Sequence, residues 1–304
     1  MEFKRCSING VAYGEGITEA SKGAAMRDGS ALNPASNLAQ LDAQKDNMVF
    51  NLNRQFQNKY LQKDKLTLIS SKFAQDLGEQ ANEQRNRMIE FFRALALCHT
   101  VLSDRPDSTN VNMVNYKAES PDEAALVSAA RDVGFVYLDR NSKETTIEVM
   151  GQLERWTPLR VLEFNSTRKR MSVIVRSPDG RLLLICKGAD SIIFQRLKPD
   201  HDASMKELTS KDLEEFANGG LRTLCIASRS VTEEEYNDWV RTYDAACAMT
   251  VDREEEIERA CETIEQNLTL LGATALEDKL QAGVPEAIEA LHQAGIKLWI
   301  LTGE

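Results

Sequence analysis

The sequence predicts an α+β fold, in which an antiparallel β-sheet is flanked by helices and a partial α/β segment lies at the ends of the chain. After Gly134, short strand-like runs follow one another with short turns between them, which is typical of antiparallel sheets. Before Gly134, apolar residues recur at three- and four-residue spacing, which predicts helices. Near the C-terminal end, strand, helix and strand are joined by short connections, which predicts a βαβ unit with parallel pairing.

Composition favours an ordinary globular protein. The chain has 304 residues, of which 42% are hydrophobic and 28% charged, enough for a large core in one or two domains. The net charge of −10 argues against a nucleic-acid partner, because neutralising phosphates requires a basic face. No apolar run approaches about 18 residues, and the start has no signal-peptide pattern, so we expect a soluble chain.

The six cysteines and three histidines do not form a recognisable site. No two cysteines have CxxC spacing, and we interpret them as free thiols in a reducing compartment. The histidines lie far apart in the sequence, and we therefore expect no metal site.

The first 81 residues predict two different segments. Residues 1–19 begin with a short strand from Glu2 to Ile8 and a turn at Asn9-Gly10. Gly14-Glu15-Gly16 lacks the third glycine of a phosphate loop, and we interpret it as a turn. Residues 20–81 are interpreted as a mobile insertion, because residues 20–62 are rich in polar residues and predict no more than a short helix.

Residues 82–270 are predicted to form the core of the domain, beginning with two helices. The first runs from Asn82 to Val101 on its apolar spacing. The second follows Ser120, with Pro121 at its first position and Glu123 three residues after the serine, a pattern known as a capping box. On this pattern alone, Glu123 serves only to cap its helix.

The segment from Glu163 to Asp190 predicts a β-hairpin. Two apolar runs flank the turn Ser177-Pro178-Asp179-Gly180. Phe164 and Arg168-Lys169-Arg170 precede the hairpin, and Lys187-Gly188 ends it. An aromatic face and several cations suit a nucleotide, which needs a stacking surface and positive charge for its phosphates. A hairpin with a solvated basic rim has the same pattern, and the spacing alone leaves both interpretations open.

The remaining elements complete the sheet and begin a second layer. We predict a helix over 204–218, a strand over 221–228 and helices over 232–243 and 251–266. Arg222, at the start of that strand, is in isolation a surface cation. The acidic run from Asp252 to Glu258 is interpreted as a solvated helix face.

The last segment predicts the βαβ unit. Its strands cover 268–272 and 296–301, and its helix covers 281–294. A buried parallel strand that ends at Thr302-Gly303 places a hydroxyl and free N–H groups at the edge where α/β sheets bind ligands. Because a parallel sheet needs more strands, we expect the chain to end partway through a second domain.

Several stretches together resemble the P-type ATPases, and among them the phospholipid flippases of the type IV class. The stretches are SPDEAAL from Ser120, FNSTRKRMSVIV from Phe164, KGAD from Lys187, GLRTL from Gly220, GATALEDKLQAGVPEAI from Gly272 and KLWILTG from Lys297. Their order and the long gaps between them also fit. SPDE together with the EDKLQAGVPE run favours flippases over cation pumps.

The resemblance implies a nucleotide site. It implies that Phe164 stacks on adenine and that Lys187 lines the same pocket near the ATP. It implies that Glu123 and Arg222 complete this pocket, so that Glu123 both caps its helix and faces the adenine. The residues implied to bind nucleotide are Glu123, Phe164, Ser166, Lys187, Gly188, Arg222, Thr302 and Gly303.

The chain also departs from the family pattern. The phosphorylated aspartate of the family lies in a DKTGTLT motif, which does not occur here, and we therefore expect no catalytic residue in this chain. Glu304 stands where the family has the aspartate of LTGDK. The resemblance thus implies a nucleotide-binding domain fragment over 82–270 with the insertion 20–81. Residues 1–19 and 271–304 are then parts of a phosphorylation domain, and the fragment binds ATP without turnover.

The resemblance further implies cofactors, partners and a location. The cofactors are ATP and Mg²⁺. The parent protein would move a phospholipid at the plasma, Golgi or endosomal membrane, with this domain on the cytosolic face. Its partners would be the actuator, phosphorylation and transmembrane domains and an accessory transmembrane glycoprotein subunit.

Two other classes of function stay open. A regulatory interaction module would use the polar insertion or the acidic helix near Glu254. A phosphatase of the haloacid dehalogenase type would need an N-terminal DxD-type nucleophile strand, which the sequence lacks.

Overall fold

The computed structural model describes residues 1–28, 34–105, 112–279 and 283–299. Its strands are β1 (Glu2–Ile8), β2 (Val11–Tyr13), β3 (Leu102–Asp104), β4 (Asn115–Lys117), β5 (Phe135–Arg140), β6 (Thr145–Val149), β7 (Gln152–Leu162), β8 (Arg170–Arg176), β9 (Leu182–Gly188), β10 (Arg222–Val231) and β11 (Thr269–Glu277). Its helices are α1 (Glu19–Arg27), α2 (Pro34–Gln55), α3 (Ser71–Gly78), α4 (Glu83–Leu97), α5 (Pro121–Asp132), α6 (Asp190–Phe194), α7 (Ala203–Asn218), α8 (Glu233–Cys247), α9 (Arg253–Ile264) and α10 (Val284–Gln293), with a short 3₁₀ turn at Lys63–Lys65.

A nine-stranded sheet organises the described residues. Its strand order is β2-β1-β11-β10-β9-β8-β7-β6-β5, and every neighbouring pair is antiparallel. Strands β3 and β4 form a separate two-stranded sheet. The predicted antiparallel sheet flanked by helices is therefore confirmed. None of the helices in the described ranges is both long and apolar enough to cross a bilayer.

The β8–β9 hairpin forms as predicted. Arg176 pairs with Leu182 at the closed end. The N–H of Gly180 donates to the carbonyl of Ser177 over 2.9 Å, and Gly180 has a φ of +89°. Only glycine adopts this left-handed conformation without strain, and the turn therefore closes where the sequence places Gly180.

The sheet is covered on both faces by apolar clusters. Phe91, Phe92 and Phe135 belong to the cluster beneath α3, α4 and α5. Leu213 and Trp239 belong to the opposite cluster, which packs against α7, α8 and α9. Successive strand residues point to opposite faces, and strand runs such as MSVIV therefore supply both clusters.

All six cysteines are free thiols, as interpreted from their spacing. Five of them are buried, and Cys247 is partly exposed. Burial raises the pKa of Cys98 and of Cys261 to about 11, which keeps both in the thiol form at neutral pH.

The polar segment before α3 contains more helix than the sequence suggested. Where we expected no more than a short helix, α2 has 22 residues. Met48 and Leu52 stand four residues apart on one face of α2 and are buried in the apolar cluster beneath α3. Val49 packs against the same cluster, and these three neighbouring apolar residues dock this part of the helix. The domain boundaries at 19, 81 and 270 remain predictions.

The predicted βαβ unit is wrong for the described residues. Strand β11 pairs antiparallel with β1 on one edge and with β10 on the other. Both hydrogen-bonding edges of β11 are therefore occupied, and no parallel strand can add to it. Helix α10 forms, but none of its described residues is buried, and residues 296–299 are not a strand. The predicted strand end and Thr302, Gly303 and Glu304 lie outside the described residues.

Candidate functional site

A cleft of about 1070 Å³ lies at one end of the sheet, against the start of α5. It is lined by five of the eight residues implied to bind nucleotide, namely Glu123, Phe164, Lys187, Gly188 and Arg222. Ser166 is exposed on the loop before β8 and is not among the lining residues. Thr302 and Gly303 lie outside the described residues.

Antiparallel pairing explains why distant residues meet here. Neighbouring antiparallel strands run in opposite directions, so the end of β9 lies beside the start of β10. Gly188, the last residue of β9, pairs with Cys225 near the start of β10. Lys187 and Arg222 therefore reach the same end of the sheet, although 35 positions separate them in the sequence.

Phe164 presents its ring at the cleft. It lies on the loop between β7 and β8 and is 62% exposed. Local hydrogen bonds shape this loop, since Arg168 donates from its backbone N–H to Asn165 Oδ1 over 2.6 Å and from its guanidinium to the carbonyl of Glu163 over 2.7 Å. A ring that is this exposed can gain apolar contact by stacking against a flat ligand.

Glu123 and Lys187 form a recessed ion pair inside the cleft. Lys187 Nζ lies 2.6 Å from Glu123 Oε1, and only 7% and 12% of the two side chains are exposed. Glu123 Oε2 accepts hydrogen bonds from the Thr100 hydroxyl over 2.7 Å and from the Thr100 N–H over 3.2 Å. Burial alone would raise the pKa of Glu123, but the Lys187 ammonium and the Thr100 donors outweigh it and lower the pKa.

The capping-box interpretation of Glu123 is wrong. Ser120 occupies the position before α5, but its side chain accepts no hydrogen bond from the helix. The Glu123 carboxylate turns away from the helix end toward Lys187 and Thr100. A strong cation 64 residues away in the chain competes better for a carboxylate than a neutral backbone N–H does.

Arg222 stands at the mouth of the cleft and is paired with Asp122. Its Nη1 lies 2.9 Å and 3.2 Å from the two carboxylate oxygens of Asp122. Asp278 lies further off, with 3.9 Å between the nearest charged atoms. The side chain of Arg222 is 56% exposed, so it is accessible to a ligand. Sequence reasoning missed Asp122, although its place next to Glu123 in the SPDE run was a usable signal.

Two of the three cations in the tripeptide Arg168-Lys169-Arg170 are paired outside the cleft. Arg168 and Arg170 are buried and both bind Glu265, whose side chain is fully buried. Arg170 also lies 2.6 Å from Glu262. The basic tripeptide as a whole therefore does not face the cleft, because buried guanidinium groups need carboxylate partners, and Arg168 and Arg170 share Glu265. Of the three basic residues, only Lys169 is among those that line the cleft.

Gly188 allows the strands to approach closely at the floor of the cleft. A Cβ atom there would lie 2.6 Å from Arg170 Cβ and 2.7 Å from the carbonyl oxygen of Lys169. These distances are shorter than real contacts, and a side chain at this position would push β8 away from β9.

The charges that line the cleft are balanced. Four cationic side chains and four anionic ones face it, namely Lys117, Lys169, Lys187 and Arg222 against Glu119, Asp122, Glu123 and Glu163. Within the described ranges, no group of three or more His, Cys, Asp or Glu side chains has the geometry to hold a metal ion. The described residues that line the cleft therefore supply paired charges and an aromatic face, and none of them belongs to a group that could hold a metal ion.

Three lining residues had no usable signal in the sequence. Thr100 falls inside the helix predicted from Asn82 to Val101, and Leu102 and Lys117 lie on β3 and β4, where no strand was predicted. Leu102 pairs with Lys117, and β4 ends just before α5 begins, which brings both residues close to the start of α5.

The chain is similar to known proteins. The family model described as "P-type ATPase, cytoplasmic domain N" matches residues 87–283. The chain is 51% identical over its whole length to "Phospholipid-transporting ATPase dnf2" of Schizosaccharomyces pombe, of which it covers 22%. It is 47% identical over its whole length to "Phospholipid-transporting ATPase DNF1" of Chaetomium thermophilum, covering 20%, and 40% identical to "Phospholipid-transporting ATPase IC" of Xenopus tropicalis, covering 22%. The chain thus spans about a fifth of the length of these relatives.

Proposed function

The chain belongs to the P-type ATPase family and carries its cytoplasmic domain N, and from this premise we propose that the cleft binds ATP. The observation that carries the proposal is the exposed Phe164 ring beside the recessed Glu123–Lys187 pair in one cleft. A flat base needs an aromatic surface and a few polar groups at its edge, and this cleft offers both.

The base is proposed to stack on Phe164. Stacking of one base on one aromatic side chain contributes about 1–3 kcal/mol by alanine substitution. The ring is already at the surface, and stacking therefore requires no rearrangement of the core. Lys187 has three donor protons, of which one is directed at Glu123, leaving two for the nucleotide.

The phosphates are proposed to extend toward Arg222. A guanidinium can form two parallel hydrogen bonds with a phosphate, and Arg222 is an accessible guanidinium among the residues that line the cleft. Because the described residues form no metal site of their own, we propose that Mg²⁺ is held by the phosphate oxygens of the nucleotide. Its charge would offset the phosphate charge in a cleft that is neutral overall.

We propose binding without turnover for this chain. The DKTGTLT motif, which carries the phosphorylated aspartate in the family, is not found in the sequence. In a full-length protein, this domain would bring ATP to that aspartate on the cytosolic side of a membrane. Since the relatives are named for phospholipid transport, we propose a phospholipid as the cargo of that protein. The further partners we propose are the actuator, phosphorylation and transmembrane domains and an accessory transmembrane glycoprotein.

Displacement of a fluorescent ATP analogue tests the site. We expect Phe164→Ala to weaken ATP binding by roughly tenfold or more, since it removes the stacking surface. Phe50→Ala is the matched control, because Phe50 is also 62% exposed but lies on α2. Lys187→Ala should also weaken binding, and Lys59→Ala, which removes a lysine paired with Glu148, should not.

Wild-type affinity in both cleft variants would contradict the proposed site. A phosphate-release assay on the wild-type chain tests the second part of the proposal. Sustained phosphate release that Phe164→Ala abolishes would contradict binding without turnover.

A further inference from the structure

The loop between α4 and β3 is anchored on both sides of Thr100. The His99 ring is fully buried, with Nε2 2.9 Å from the carbonyl oxygen of Ala96 and Nδ1 accepting from the N–H of Val101 over 3.1 Å. Arg140 donates to the carbonyl of His99 over 2.7 Å. Burial and the nearby cations lower the pKa of His99 well below its ordinary value, so the ring stays neutral and keeps these bonds at physiological pH.

Thr100 is consequently held in place while its hydroxyl remains in the cleft. Both of its donors, the hydroxyl and the backbone N–H, reach the same oxygen of Glu123 at 2.7 Å and 3.2 Å. The other oxygen of Glu123 accepts from Lys187. Thr100 thus fixes the orientation of the Glu123 carboxylate relative to Lys187 and to the Phe164 ring.

This arrangement leaves Glu123 little capacity for further hydrogen bonds. A carboxylate has about four acceptor positions, two on each oxygen. Thr100 fills both positions on Oε2, and Lys187 fills one on Oε1. One acceptor position on Oε1 remains for a ligand, and it can be satisfied only by a donor.

We propose that Thr100 is a positioning residue that makes the cleft select adenine over guanine by holding Glu123 as a single acceptor toward the base. The inference rests on the proposed binding of a nucleotide in this cleft. Adenine presents an amino donor where guanine presents a carbonyl oxygen on the same ring atom. A carboxylate that cannot rotate accepts from the amino group and repels the carbonyl oxygen, and sites of this kind discriminate strongly.

The experiment measures the ratio of the Kd values for GTP and ATP in wild-type, Thr100→Val and Thr100→Ser chains. Valine retains the shape of threonine and loses the hydroxyl, whereas serine retains the hydroxyl. We expect Thr100→Val to reduce the ratio by roughly tenfold, the usual effect of one hydrogen bond to a charged group. We expect Thr100→Ser to keep the ratio near the wild-type value.

A second readout does not depend on nucleotide. The pKa of the Glu123 carboxyl, followed by carbon-detected NMR, should rise in Thr100→Val because a donor to the charged form is lost. Thr146→Val is the matched control, since Thr146 also donates to a glutamate, Glu144, over 3.1 Å on β6. This control should change neither the ratio nor the pKa of Glu123.

The outcomes separate this inference from the proposed function. ATP binding with an unchanged ratio in Thr100→Val would overturn the role of Thr100 alone, as would an equal loss of selectivity in Thr100→Ser. An unchanged pKa of Glu123 in a folded Thr100→Val chain would also overturn it. A wild-type chain that binds no ATP would overturn the proposed function and this inference with it.

Discussion

The pairing of Arg222 with Asp122 predicts that removing an acid will strengthen ATP binding. In the cleft, Asp122 occupies the guanidinium that we propose for phosphate, at 2.9 Å and 3.2 Å. A phosphate must displace this carboxylate before it can bind Arg222. Asp122→Asn keeps the size and one acceptor oxygen of the side chain but removes its charge. The phosphate then displaces this side chain from Arg222 with a smaller loss of free energy.

The structure limits the size of this gain. The side chain of Arg222 is 56% exposed and that of Asp122 is 19% exposed, so water already screens the pair. Exposed ion pairs contribute about 0.2–1 kcal/mol, which corresponds to an increase in ATP affinity of up to about fivefold. Asp122→Asn also removes one of the four acidic side chains that line the cleft. This reduces the repulsion of the phosphates and also raises the affinity for ATP.

Isothermal titration calorimetry with ATP and with adenosine, at one fixed ionic strength, measures the effect. Adenosine has no phosphate, and its affinity should not change in Asp122→Asn. Asp278→Asn is the control, because Asp278 lies 3.9 Å from Arg222, is 68% exposed and should give a smaller gain. Unchanged or weaker ATP binding in Asp122→Asn, or an equal gain for adenosine, would refute the reasoning.

Two further predictions concern stability, and urea denaturation measures both. Lys187 and Thr100 lower the pKa of Glu123 in the folded protein. Their contacts with the ionised carboxylate therefore stabilise the fold fully above the unfolded-state pKa of a glutamate. This stabilisation is lost as the pH falls through the lower folded-state pKa. The difference in unfolding free energy between wild type and Glu123→Gln should therefore shrink between about pH 5 and pH 3. Titration of His99 affects both proteins alike and cancels in this difference. A difference that is constant with pH would contradict the prediction. Glu265→Gln should destabilise the fold by about 3–5 kcal/mol, because it leaves two buried guanidinium groups without their shared charge. ATP affinity of the folded protein should hardly change in Glu265→Gln, and a large loss of affinity would show that this cluster shapes the cleft.

Local signals in the sequence predicted the elements whose structure depends on neighbouring residues. The turn of the β8–β9 hairpin needs a glycine at Gly180, and helix α4 needs apolar residues at helical spacing, both of which can be read directly. Helix α2 was underestimated because, among its described side chains, Met48 and Leu52 are the buried ones, and a pair of residues in a polar tract is a weak pattern. The antiparallel pairing of β11 was missed because a strand's sequence does not show which strands occupy its edges.

The roles of the charged residues were only partly predictable. Family motifs pointed to Phe164, Lys187 and Arg222, and the structure brings these three to one cleft. The sequence pattern left open whether Arg168 and Arg170 face a ligand, and the structure directs both to Glu265. The sequence around an arginine does not show which carboxylate it will pair with in the fold. Glu265, for example, lies 95 residues after Arg170.

The sequence alone determined where the β8–β9 hairpin and helix α4 form and which family the motifs resemble, because turn formation, helical spacing and motif identity are properties of short stretches. Tertiary structure alone decided that Glu123 pairs with Lys187 rather than capping its helix, that Thr100 reaches the same carboxylate, and that Asp122 occupies Arg222. The physical reason is that a charged group, once removed from water, must find its partner among the groups that the folded sheet brings near, and those groups lie far away in the chain.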